Sequence, residues 1–201
     1  MLRRLGYQGR IVSIEPVGEV FETLRATAAG DRDWITLNTA CGSRNESRSI
    51  NVFEANTFSS FLTPSSNMPA IGSSPIKRTE TVSVRRLDSL FDEAIGGLDD
   101  PQVFLKTDAQ GLDLEVLKGA GECISRIDGL QLEIAVIPLY VDVPDYLEVL
   151  SYCRERGFEP TGFFPIVNSP TTGHLIECDA VLTRRRWSDV EHALVESSQS
   201  Q

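Results

Sequence analysis

With 201 residues, 41% hydrophobic and 24% charged, the chain is long enough to bury a core between layers and needs no second large domain. Nineteen basic residues against twenty-nine acidic ones leave a net charge of −10, which opposes binding to phosphate backbones and sets nucleic acid aside as a partner. Arg3 and Arg4 precede no apolar leader segment, and no run reaches the ~20 apolar residues of a membrane span, so a cytoplasmic protein with no membrane partner is expected.

Residues 1–6 read as the last turn of a helix, with Leu2 and Leu5 apolar and Gly6 as its stop. Residues 10–15 follow as a strand that Pro16 ends just after Glu15. Val17, Val20, Phe21, Leu24 and Ala28 then recur on one helical face until Gly30 closes it. Residues 34–39 form the next strand, so strand, helix and strand make a parallel crossover. After a polar turn at 42–46, residues 49–53 are a further strand. Residues 54–74, rich in Ser and Pro, show no period and read as a long loop, either a lid or a mobile excursion, with Phe58 and Phe61 to pack it down.

Residues 79–85 alternate as a strand with one solvated face, and 87–95 form a short helix stopped by Gly96 and Gly97. Residues 102–107 are apolar enough for a strand buried on both faces, and 112–119 for a short helix. The turn between them carries Asp108, Gln110 and Gly111, at a strand end where open α/β sheets bind ligands. Asp108 is therefore either a carboxylate of the crevice or a cap of the following helix. Residues 130–137 are an apolar strand in which Glu133 is out of place, and Pro144 takes the first position of a helix with Tyr146, Leu147, Val149, Leu150 and Cys153 on its apolar face. Residues 158–166 and 177–183 form an antiparallel hairpin, followed by a helix at 187–195 and a frayed tail. The whole specifies a three-layer α/β domain with a mostly parallel sheet and a C-terminal antiparallel hairpin. Its extent is 1–185, and 186–201 make the terminal helix and tail. The four cysteines, scattered without paired spacing, point to reduced and mostly buried thiols.

The ordered series Ile14-Glu15-Pro16, Asn38-Thr39-Ala40, Val84-Arg85-Arg86-Leu87-Asp88, Leu105-Lys106-Thr107-Asp108-Ala109-Gln110-Gly111 and Leu114-Glu115-Val116-Leu117-Lys118-Gly119-Ala120 resembles the FkbM-type methyltransferases. The resemblance runs from residue 1 to about Thr183. It implies a Rossmann-like, class I fold that uses S-adenosylmethionine to methylate a hydroxyl of a sugar or secondary metabolite. Relative to the family, the chain opens after the first strand and its Gly-rich cofactor loop, so the first strand is expected to be missing and the domain to be N-terminally incomplete. Glu15 then takes the ribose hydroxyls, Asn38 and Ala40 border the adenine, and Ser59 and Ser60 touch the acceptor together with Gln110. Asp108 is the first candidate for the base or for orienting the acceptor, and Glu133 the second. Two carboxylates on neighbouring strands could also hold a divalent cation, but with only two ligands and no His no metal is expected. His174 and His192 read as surface residues. The alternatives are a truncated, catalytically silent binding or interaction domain and, disfavoured by the later motifs, a nicotinamide-dependent oxidoreductase. The acceptor is a small molecule or glycan hydroxyl, and oligomerisation is possible.

Overall fold

Val17, Val20, Phe21, Leu24 and Ala28 set the first helix, α1 (Gly18–Ala28), between two short parallel strands, β1 (Ile11–Ile14) and β2 (Trp34–Leu37). In this computed structural model, which describes residues 2–54, 58–65 and 75–184, the further elements are β3 (Ala40–Cys41), β4 (Glu46–Phe53), β5 (Ile76–Arg85), α2 (Leu87–Ile95), β6 (Phe104–Lys106), α3 (Asp113–Gly119), β7 (Gly129–Ala135), α4 (Tyr146–Glu155), β8 (Phe158–Asn168) and β9 (Leu175–Arg184). Single 3-10 segments lie at Leu2–Leu5 and Gly121–Arg126. The helix and tail expected after Arg184, and much of the expected loop at 54–74, fall outside the described residues.

The fold is α/β, but its sheets are mixed rather than mostly parallel. Parallel pairing joins β1 to β2, β3 to β5 and β6 to β7. Antiparallel pairing joins β4 to β5, β7 to β9 and β8 to β9. The chain returns from β4 to β5 in the reverse direction, from Glu46 opposite Val84 to Phe53 opposite Ile76, a connection that needs only a loop and no crossover helix. The expected C-terminal hairpin is present as β8 and β9, and with β6 and β7 it forms a four-stranded sheet in the order β6-β7-β9-β8.

Side chains alternate across each strand, and this sorts the four-stranded sheet into two unlike faces. Leu130, Leu132 and Ile134 of β7 and Cys178, Ala180 and Leu182 of β9 turn toward α2, α3 and α4, which supply Phe91, Leu114, Leu117, Val149 and Cys153 to the largest core. At about 25 cal/mol per Å2 of apolar surface removed from water, each fully buried Leu there contributes roughly 1.5–3 kcal/mol. Gln131, Glu133, Glu177 and Asp179 take the opposite face, Glu133 opposite Asp179 and Ala135 opposite Glu177. A second core of Val17, Ile50, Val52 and Val82 fastens the start of α1 onto β4 and β5. A third, Phe53, Leu139 and Tyr140 with Phe58 and Leu62 against it, sits over the carboxyl end of β7.

Two expectations need correction. Strand β6 spans only three residues and is not buried on both faces: Phe104 is 57% exposed and Lys106 is open. Pro144 does not take the first helical position, because Asp145 is the cap of α4 and accepts a hydrogen bond from the Leu147 amide at 2.8 Å. All four cysteines carry free thiols, with Cys153 and Cys178 buried and Cys41 and Cys123 half-buried. No helix among the described residues is long and apolar enough to cross a membrane.

Candidate functional site

Strand β6 leaves the sheet through Thr107, whose amide donates to the Gln131 carbonyl at 2.9 Å and whose hydroxyl donates to Asp113 at the start of α3. Between them the chain reverses through Gln110 at φ 48° and Gly111 at φ 91°. Gly111 is required there twice over, for that conformation and because a Cβ would lie 2.6 Å from Val143 Cγ1. The left-handed turn throws the Gln110 amide back over the strand ends. Its Nε2 donates to Asp108 Oδ1 at 3.0 Å and to Glu133 Oε2 at 2.9 Å, while its Oε1 accepts from the Tyr140 hydroxyl at 2.7 Å. Its main-chain carbonyl accepts from Ser60 Oγ at 3.1 Å.

The structure therefore brings Asp108, Gln110, Glu133 and Ser60 together. Asp108 does not cap α3, whose cap position is Leu112. Instead its second oxygen faces Lys106 Nζ at 3.4 Å, an ion pair half open to water and so worth little to stability. Three residues not singled out from sequence complete the group: Asp113, Glu177 and Tyr140. Asp113 is 3% exposed, and its Oδ2 has no hydrogen-bond partner among the described residues. The one sequence sign of Asp113 was its place in the first turn of a short helix, which reads equally as a capping preference. Glu177 showed only as a carboxylate starting an apolar strand.

Crowding of acids in a partly dry space sets their protonation. Burial first, then the neighbouring Asp108, Glu177 and Asp113, pushes the Glu133 carboxyl up to about 9, so it carries a proton at neutral pH. Burial and the charges of Asp108, Asp113 and Asp179 push Glu177 up to about 7. Burial raises Asp113 to about 6 against the opposing hydrogen bond from Thr107. The Tyr140 hydroxyl is raised as well, by burial and then by Glu133.

Glu15 belongs to a second group at the end of β1. Its Oε1 accepts from the Val17 amide at 2.8 Å, and Glu80 Oε1 accepts from the Gly18 amide at 3.0 Å, so two carboxylates stand at the N-terminus of α1 where its amides favour negative charge. Burial, only partly offset by that amide, raises the Glu15 carboxyl. Asn38 is exposed beside Glu15, and its Nδ2 donates to the carbonyls of Glu15 and Pro16 at 2.9 and 3.3 Å and fastens their turn. Ala40 is buried in β3 opposite Val84.

Residues 58–62 touch both groups. Phe61 packs on the core around Val17, while Ser60 pairs with Asn51 of β4 and reaches the Gln110 carbonyl. Ser60 is buried and spends its hydroxyl on Gln110 and on the Leu62 amide, whereas Ser59 Oγ is buried without a partner among the described residues. No set of three potential metal ligands converges among the described residues. The assembled site can thus place a protonated carboxyl, Glu133, beside a half-exposed carboxylate position, Asp108, with one amide fixing the distance between them.

Compared with known families, residues 1–160 match the sequence profile described as the Methyltransferase FkbM domain. No curated protein and no solved structure matches the chain.

Proposed function

The chain belongs to the FkbM methyltransferase family, and from that premise we propose that it is a soluble, cytoplasmic, S-adenosylmethionine-dependent enzyme with a Rossmann-like fold that methylates a hydroxyl of a small molecule or glycan. The observation that carries this reading is the family match over residues 1–160. The cofactor's donor requirements fit Glu15, a carboxylate at a strand end with one oxygen fixed by the Val17 amide and the other left for a ribose hydroxyl. When bound, S-adenosylmethionine supplies the activated methyl group.

The chain's own residues do the rest. A hydroxyl oxygen that takes a methyl group must lose its proton, and much of the barrier falls when that oxygen is held in line with the methyl carbon. Asp108 is the base in this reading, because it is half open to solvent and Gln110 and Lys106 fix both of its oxygens. Glu133, protonated at neutral pH, is a poor base and serves as a hydrogen-bond donor that orients the acceptor or Asp108. Gln110 sets the spacing of the two carboxyls.

Calorimetric titration of the intact chain with S-adenosylmethionine tests the reading. Binding is expected, and Glu15→Ala should weaken it about 10- to 100-fold, the worth of charge-assisted hydrogen bonds to a diol. Absence of both heat and thermal stabilisation in the unsubstituted protein would refute cofactor binding by this chain.

A further inference from the structure

Above the carboxyl end of β7 lies a partly open cavity of about 30 Å3, room for a water-sized group, lined by Asp113, Glu133 and Glu177 and by Leu139, Tyr140 and Tyr146 among others. Among the described residues, none that lines it is Lys, Arg or His. One wall, Asp113, is almost wholly withdrawn from water, and its Oδ2 meets no donor among the described residues. A buried acceptor left in this state costs about 1–3 kcal/mol, which a donor arriving with a ligand would recover.

We propose that this cavity binds a primary ammonium group carried by the methyl acceptor, so that the enzyme acts on amine-bearing alcohols such as amino sugars. An ammonium presents N–H donors, and the wall offers them the carboxyl oxygens of Asp113 and Glu177, with the protonated Glu133 beside them. Its positive charge is complementary to a wall that, among the described residues, gathers acids without one basic partner. A bare metal ion fits less well, because it needs several ligands converging at bonding distance and no such set of three occurs among the described residues. A carboxylate or phosphate ligand is repelled. The site opens beside the Gln110 clamp, which links Glu133 to Asp108, so an amine held there places a neighbouring hydroxyl toward the base.

The proposal rests on the methyltransferase reading only in assigning the amine to the acceptor. Its test therefore needs neither turnover nor cofactor. Thermal unfolding of the intact chain is followed near neutral pH at fixed ionic strength with propylammonium, with propanol and with tetramethylammonium. Propylammonium at about tenfold its dissociation constant should raise the midpoint by roughly 3–5 °C, and the other two should not. Glu177→Gln should abolish the rise; Asp113→Asn should do the same, but Asp113 is buried and its replacement threatens folding, so Glu177→Gln carries the decision. Equal stabilisation by tetramethylammonium, or a rise that survives in Glu177→Gln, overturns the proposal. Prior saturation with S-adenosylmethionine should leave the rise intact; its loss would assign the cavity to the amino-acid end of the cofactor and overturn the acceptor assignment. Should S-adenosylmethionine fail to bind at all, the methyltransferase reading falls while the propylammonium result stands.

Discussion

At the scale of single residues, Glu133 is a carboxyl that folding keeps protonated. In the unfolded chain it titrates near 4.5, and in the folded chain near 9. Below pH 4.5 both states hold the proton and the residue has no effect on stability. As pH rises past 4.5 the unfolded chain releases the proton while the folded chain retains it, so the unfolded state gains, and the penalty grows until about pH 9. Glu177 adds a smaller penalty of the same sign between 4.5 and about 7. Glu133→Gln keeps the shape and removes the titration. Denaturant unfolding at a series of pH values should therefore show the variant drawing ahead of the parent steadily from pH 5 to pH 9, and parallel profiles would contradict the assignment. Sequence displayed Glu133 because it is a polar residue in an apolar strand, and Asp108 and Gln110 because they fill the turn at the end of a strand. It could not display Glu177 or Asp113, since their part depends on β9 lying antiparallel to β7 and on the turn that folds α3 back over the strand end, and both are non-local pairings.

At the scale of elements, the helices, the parallel β1–β2 pair and the β8–β9 hairpin were legible, and the remaining strand pairings were not. The repeats in α1, α2 and α4 and the glycines after them mark helical faces within a few residues of one another, so local pattern suffices. Strand β3, two residues long, carries no period at all, and the antiparallel return from β4 to β5 is fixed by partners rather than by pattern. The joint between the two larger sheets is likewise a matter of contact. Gly119, the last residue of α3, lies so close to the turn after β3 that a Cβ would stand 2.0 Å from the Gly42 carbonyl oxygen. Around it Arg86 donates to the Ser43 carbonyl at 3.0 Å and Ser43 Oγ donates to Glu115. Because the obstacle is backbone and cannot rotate away, Gly119→Ala should cost about 2–3 kcal/mol, the upper part of the usual overpacking range. For a chain of this length that is roughly 5–10 °C in the thermal midpoint. An unchanged midpoint would show that the two sheets do not meet as tightly as this contact requires.

At the scale of the whole molecule, stability is unevenly spread, and the two halves of the candidate site stand on unequal ground. Strand β7 is flanked on both sides, by β6 and β9, with Leu130 and Leu132 fully buried under three helices. Strands β1 and β2 pair only with each other among the described residues, and each of their eight residues is only half-buried. Opening the β1–β2 pair exposes little apolar surface, whereas opening β7 from β9 dismantles the main core. Native-state hydrogen exchange should therefore find the amides of Leu132, Ala180 and Leu182 exchanging only with global unfolding, and those of Val12, Ser13 and Thr36 through a smaller, earlier opening. Since Glu15 is the last anchor of β1 and the Asp108 group hangs from β6 and β7, a ligand held by Glu15 acts on the weaker half. S-adenosylmethionine should then raise protection in β1 and α1 far more than in β7 and β9, while propylammonium, bound at the end of β7, should leave β1 as it was. Equal protection of all these strands in the free protein would remove the basis for that asymmetry.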